Sequence, residues 1–111
     1  MNDPAWDTVG RLAGRLDQAS ELPSETRILL QILKITEEAG EVAEAVIGAT
    51  GQNPRKGYSH TWDDVQNELC DVIVTAMVAL TRLTPDAREV FAANLDRIAA
   101  RPFTPPAAAT G

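Results

Sequence analysis

The chain has 111 residues, 44% of them hydrophobic, and a net charge of −6. That length suits one domain, with a core small enough that oligomerisation is an expected source of further burial. The acidic balance speaks against binding a nucleic-acid backbone and leaves room for cations. A single cysteine, Cys70, excludes an internal disulfide and a cysteine-based zinc site. A reducing cytoplasm is the expected compartment. The opening residues lack the pattern of a signal peptide, and no apolar run approaches the roughly 20 residues of a membrane span.

The first helix is expected over about Pro4 to Ala19, with Asp3 as N-cap and Pro4 at the first helical position. Its apolar stripe is Trp6, Val9, Leu12, Ala13 and Leu16. The second starts near Ser24 and runs to about Ala49, where Gly48 and Gly51 should stop it. Its stripe reads Ile28, Ile32, Ile35, Ala39, Val42 and Val46. Residues 50–60, TGQNPRKGYSH, read as a loop. Thr61 caps the third helix, with Asp63 and Asp64 in a first turn that suits the helix dipole. That helix ends near Leu83, and its stripe is Val65, Leu69, Val72, Ala76, Ala79 and Leu83. Thr84 and Pro85 open a fourth helix that runs to about Ala100. Residues 1–101 then form one all-α, four-helix bundle-type domain, and 102–111 a loosely ordered tail. No stretch alternates with a period of two, so no strand is expected.

Four acids stand out. At about 100° per residue, Glu38 and Glu41 fall on one flank of the second helix's stripe, and Glu68 and Asp71 on the same-handed flank of the third. An antiparallel hairpin of these two helices brings both pairs to one wall. Acids at helical spacing are often only a solvated face. Here, however, Glu68 and Asp71 lead into ten uncharged residues, Val72 to Thr81, and the two pairs match in handedness. Converging carboxylates repel, and a hard divalent ion, Mg²⁺ with Mn²⁺ as substitute, relieves them. A di-iron site of the Glu-x-x-His type does not fit, because the one histidine, His60, lies in the loop.

Glu38-Ala-Gly-Glu41, a spacer of 26 residues and Glu68-Leu-Cys-Asp71 resemble the signature of the MazG-like all-α nucleotide pyrophosphohydrolases. The resemblance covers roughly residues 25–101. It implies Mg²⁺-dependent hydrolysis of nucleoside triphosphates to monophosphate and pyrophosphate, a nucleotide house-cleaning activity, in a homodimer or homotetramer. It also implies that Glu38, Glu41, Glu68 and Asp71 are the catalytic metal ligands. One of them, or Glu37, would act as general base. The alternative is a non-catalytic helical oligomer or nucleotide-binding adaptor that retains the motif.

Substrate contacts are open to two readings each. Lys34 sits one turn before Glu38, to meet a phosphate or to pair with Glu38. Asn53, Arg55 and Lys56 are either a lid on the triphosphate or a solvated loop. Trp62, Tyr58, Trp6 and His60 are candidates for stacking on a base, with core packing the competing reading for Trp62 and Trp6. Arg82 lies on the acid flank, about three turns from Asp71. The family's last helix often carries a basic residue and an arginine toward the phosphates; here Asn94 stands where lysine is expected, and Arg101 supplies the arginine. Cys70 points away from the acids, as a buried apolar filler. Leu29, Leu30 and Leu33, with Ile73, Val74, Met77 and Val78, lie off the stripes and call for a partner protomer.

Overall fold

A computed structural model describes residues 3–105. It holds four helices: α1 (Pro4–Ala19), α2 (Ser24–Thr50), α3 (Trp62–Leu83) and α4 (Ala87–Ala99), with no strand among the described residues. The expected tail falls largely on residues 106–111, outside that range.

The helix ends follow local chemistry. Asp3 occupies the N-cap of α1 ahead of Pro4. Thr61 caps α3 reciprocally: its hydroxyl accepts from the Asp64 N–H at 3.2 Å, while the Asp64 carboxylate accepts from the Thr61 N–H at 2.8 Å. Gly51 closes α2 in the left-handed conformation, φ 67°, which a side chain resists. Gly48 does not stop α2. It is buried inside the helix, where a Cβ would overlap the His60 ring and Ser59 Oγ. The fourth helix starts later than the sequence suggests. Thr84 ends α3, its hydroxyl accepts from the Asp86 N–H at 3.1 Å, and Asp86 becomes the N-cap of α4. This Ser/Thr-type turn outcompetes an earlier helical start.

The most extensive packing joins α2 to α3, with α1 laid on α3 and α4 more lightly attached to it. The buried faces take in only part of the expected stripes: Val65 and Ala79 of α3 are buried, and Ile28, Ile35 and Val42 of α2 and Val72 and Ala76 of α3 are half-buried. Along α2 the buried line is Gln31 and Ala45, with half-buried Glu38 midway between them, while Ile32, Ala39 and Val46 of the expected stripe are exposed. Along α3 Thr75 and Val78 are buried as well, Glu68 and Arg82 are half-buried on the Thr75 side, and the expected Leu69 and Leu83 are exposed. Gln31, Glu38 and Ala45 on α2, like Glu68, Thr75 and Arg82 on α3, advance seven residues at a time and stand about 80° from the centre of the expected stripe, in the same sense on both helices. Hydrogen bonding explains the choice. Gln31 Nε2 donates to the Thr75 carbonyl at 3.1 Å in a buried setting, and Arg82 Nη1 donates to the Arg27 carbonyl at 3.3 Å. Polar side chains bury when they find hydrogen-bond partners, here backbone carbonyls of the facing helix.

A small apolar centre forms where α1 meets α3, from Val9, Ala13 and Val78, with Trp6 and Met77 against it. The Trp6 and Phe91 rings lie 5.9 Å apart in a tilted pair, which ties α4 to α1. Trp6 is thus partly core, as its stripe position suggests. Trp62 is not: it stands at the start of α3, 58% exposed, with no helix over it. Cys70 is exposed too, because the rotation of α3 carries its face outward.

Among the described residues no large side chain is fully buried. Leu29, Leu30, Leu33, Ile47 and Ile73 are all exposed, Leu33 by 65%. The radius of gyration is 18.6 Å, against about 13 Å for a compact chain of this length.

Candidate metal centre

The rotation of both helices decides the position of the acids. Glu38 and Glu68 lie within the α2–α3 packing face rather than beside it. One carboxylate oxygen each from Glu38, Glu41 and Glu68 falls within 4.8 Å of the others, and all three residues are half-buried. The Glu38 side chain is only 12% exposed. Glu68 Oε2 is buried with no hydrogen-bond partner. An unpaired buried carboxylate oxygen is costly and wants a cation or a proton.

Glu38 is the acid whose hold on a proton is strengthened. Its carboxyl is held above its ordinary value of 4.5, first by loss of hydration, then by a hydrogen bond to Glu41 and by Glu41's charge. Lys34 opposes the shift, and Asp71 adds to it. Asp71 itself is exposed and outside the close triad, yet near enough for its charge to reach Glu38.

The donor set fits a hard dication. All candidate ligands are carboxylate oxygens, the type that Mg²⁺ and Mn²⁺ prefer. Neighbouring oxygens around an octahedral Mg²⁺ stand about 3 Å apart and opposite ones about 4 Å, so the three carboxylates, within 4.8 Å of one another, would have to draw together to close on an ion. Zinc sites of cysteine or histidine type have no ligands here, since Cys70 is exposed and His60 bonds Ser59 Oγ at 3.0 Å.

The other candidates are dispersed. Lys34 Nζ lies 4.0 Å from Glu38 Oε1, one turn along α2, so the i,i+4 pair is present. Glu37 is exposed on the outer side of α2. Asn53 and Lys56 fold over the end of α2, lining a cavity of about 110 Å³ with Glu44, Gly48 and His60. Arg55 donates its backbone N–H to Asn53 Oδ1 at 3.0 Å and is exposed. Tyr58 is exposed, with its ring over Gly51. Asn94 turns onto its own helix: its amide donates to the Val90 carbonyl at 2.9 Å, and its oxygen accepts from Arg97 at 2.8 Å. Arg101 is exposed after α4. No hydrogen bond or ion pair among the described residues joins Arg55, Lys56, Trp62, Asn94 or Arg101 to the acids.

Arg82 is engaged elsewhere. It pairs with Asp17 of α1 at 3.1 Å and bonds α2 at Arg27. Sequence reasoning passed over Asp17 and Arg27; their only signal was charge near the ends of amphipathic helices, which is common on any surface.

No family model, no curated protein and no solved structure matches the chain. No helix among the described residues is long and apolar enough to cross a membrane.

Proposed function

We propose that the chain is a Mg²⁺-dependent nucleoside triphosphate pyrophosphohydrolase of the MazG-like type, yielding monophosphate and pyrophosphate. The observation that carries the reading is the convergence of Glu38 and Glu41 on α2 with Glu68 on α3, one oxygen of which is buried and unpaired. The E-x-x-E and E-x-x-D signature supports it from the sequence side.

In this reading α2 and α3 form an antiparallel hairpin. The pairings of Arg27 with Arg82, of Gln31 with Thr75 and of Glu38 with Glu68 support that direction. Glu38, Glu41 and Glu68 hold the ion, and Asp71 completes the set by a side-chain rotation at the rim. When bound, Mg²⁺ neutralises charge on the phosphate oxygens and acidifies a coordinated water. The protein's own part is to place four carboxylates on two rigid helices, with Glu38, Glu41 and Glu68 half-buried between them. Lys34, already beside Glu38, is positioned to exchange that carboxylate for a phosphate oxygen once the ion is held. Two copies pool their uncovered α2 and α3 faces in a homodimer or higher homo-oligomer; the exposed leucines and the extended single-chain shape support this. A reducing cytoplasm suits the lone free thiol.

The test is incubation with the common ribo- and deoxyribonucleoside triphosphates and Mg²⁺. Pyrophosphate release that is lost in Glu38→Gln and Asp71→Asn supports the enzyme. One observation favours a second reading, a nucleotide-binding adaptor: Asn94 is turned onto α4, away from any phosphate role. Nucleotide binding with no turnover of any triphosphate would select that reading.

A further inference from the structure

A second polar site lies at the junction of α1, α2 and α3, and its chemistry is opposite to that of the acids. A cavity of about 360 Å³ is lined by Asp17 of α1, Ser24 and Arg27 of α2, and Arg82 of α3. Arg82 is the most enclosed cation, its side chain 9% exposed. Its Nη2 pairs with Asp17 Oδ1 at 3.1 Å, and its Nη1 bonds the carbonyl of Arg27 and, at 3.5 Å, Gln31 Oε1. Arg27 Nη1 donates to the Asp17 carbonyl at 2.9 Å and stands 3.9 Å from its carboxylate. After these contacts the Nε–H groups of both Arg27 and Arg82 are still buried without an acceptor.

Three observations agree on the sign of the missing partner. Two guanidinium groups share one carboxylate, leaving one positive charge in excess inside a chain of net charge −6. Two buried donors lack acceptors, which is unfavourable unless a partner is supplied. The same cavity is bordered by Ser24, the first residue of α2, and no side chain caps that helix end. An uncapped helix start carries free N–H groups and the positive end of the helix dipole, which suit an anion. Opposite, Gly10 and Gly14 of α1 lie one turn apart on the cavity wall, and a Cβ at either would meet nothing. That leaves room for an organic group beyond the anion itself.

We infer that this junction is a phosphate-group site, separate from the carboxylate cluster, in which Arg27, Arg82 and the start of α2 receive a phosphate or phosphomonoester and Asp17 is the internal anion that it displaces. A guanidinium presents Nε and Nη together to one oxyanion, so once the arginine side chains turn toward it a bound phosphate satisfies the orphaned donors. Asp17, 46% exposed at its side chain, has water to turn to.

The experiment is a titration of the full-length protein with inorganic phosphate and, separately, with a nucleoside monophosphate, in the absence of divalent ions. The arginine Nε–H signals are followed by ¹H–¹⁵N NMR. Saturable shifts of the Arg27 and Arg82 signals are expected with both ligands; tighter binding of the monophosphate identifies an esterified phosphate as the natural ligand, and equal binding identifies the free ion. Arg27→Gln should weaken binding about tenfold, the equivalent of one lost charge-assisted contact. Asp17→Asn should tighten it, because the competing anion is gone; a purely structural ion pair predicts no gain. Gly14→Leu, which fills open space, should block binding while the fold is kept, so a folding failure of an arginine variant does not decide the matter. No shift of either arginine below about 10 mM ligand, roughly 3 kcal/mol of affinity, overturns the inference. So does binding unaffected by Arg27→Gln and Gly14→Leu.

Discussion

Replacing Glu68 by glutamine should invert the protein's response to metal. Without metal, Glu68 Oε2 is buried and unpaired, and a Glu68 carboxylate oxygen lies within 4.8 Å of one each from Glu38 and Glu41. An unsatisfied buried polar atom costs about 1–3 kcal/mol. The amide of glutamine removes one negative charge and adds a donor that its acidic neighbours accept. Glu68→Gln is therefore expected to be about 1–2 kcal/mol more stable than the wild type in chelator, and a chain of this size gains roughly 4–8 °C in Tm per kcal/mol. Saturating Mg²⁺ should reverse the order. A ligand at a hundred times its Kd adds about 2.7 kcal/mol to the state that binds it, and the variant has lost a ligand oxygen of full charge. Thermal and urea melts of both proteins, in chelator and in Mg²⁺, read all four stabilities. A variant that is less stable than the wild type in chelator, or that gains as much from Mg²⁺, refutes the reasoning.

Further outcomes follow from the same geometry. Glu38 holds its proton above the usual carboxylate range. Its contribution to apo stability is therefore present at low pH and is lost as pH rises through that raised value. Metal uptake should strengthen over the same interval and release a proton, which calorimetry in buffers of different ionisation enthalpy detects; uptake independent of pH there contradicts the assignment. Gly48→Ala should cost about 1–3 kcal/mol, as overpacking does, because its Cβ meets His60 and Ser59; His60→Ala in the same chain should restore part of the loss in a urea melt. Leu33→Glu places a charge on the uncovered apolar face of α2 and should shift the sedimentation coefficient toward the single chain, while an unchanged value removes that face from the interface.

The sequence was most informative where chemistry is local. Pro4, Thr61 and Gly51 mark helix ends because a missing N–H, a side-chain acceptor and a left-handed φ each act within one turn. Thr84 misled because its hydroxyl serves a turn and not a cap. The orientation of α2 and α3 was hidden for a deeper reason. Hydropathy ranks side chains by their cost in water and carries no information on which neighbour covers them. Ile32, Val46 and Leu69 belong to the apolar stripes and lie exposed in the single chain, whereas the polar Gln31 is buried, its amide donating to the Thr75 backbone carbonyl across the helices. The acids were legible as a group because their spacing repeats on two helices. Their place inside the packing face, and with it the raised affinity of Glu38 for a proton, depended on that unseen rotation.

The carboxylate cage itself is tested most directly by electron paramagnetic resonance of Mn²⁺. Titrating the wild type into Mn²⁺ should deplete the free-ion signal to a definite stoichiometry per chain, and Mg²⁺ should compete that ion back into solution. Glu38→Gln should leave the signal at the level of buffer alone. A wild-type protein that leaves the free Mn²⁺ signal undiminished, or a Glu38→Gln variant that depletes it equally, would contradict a cation site built from Glu38, Glu41 and Glu68.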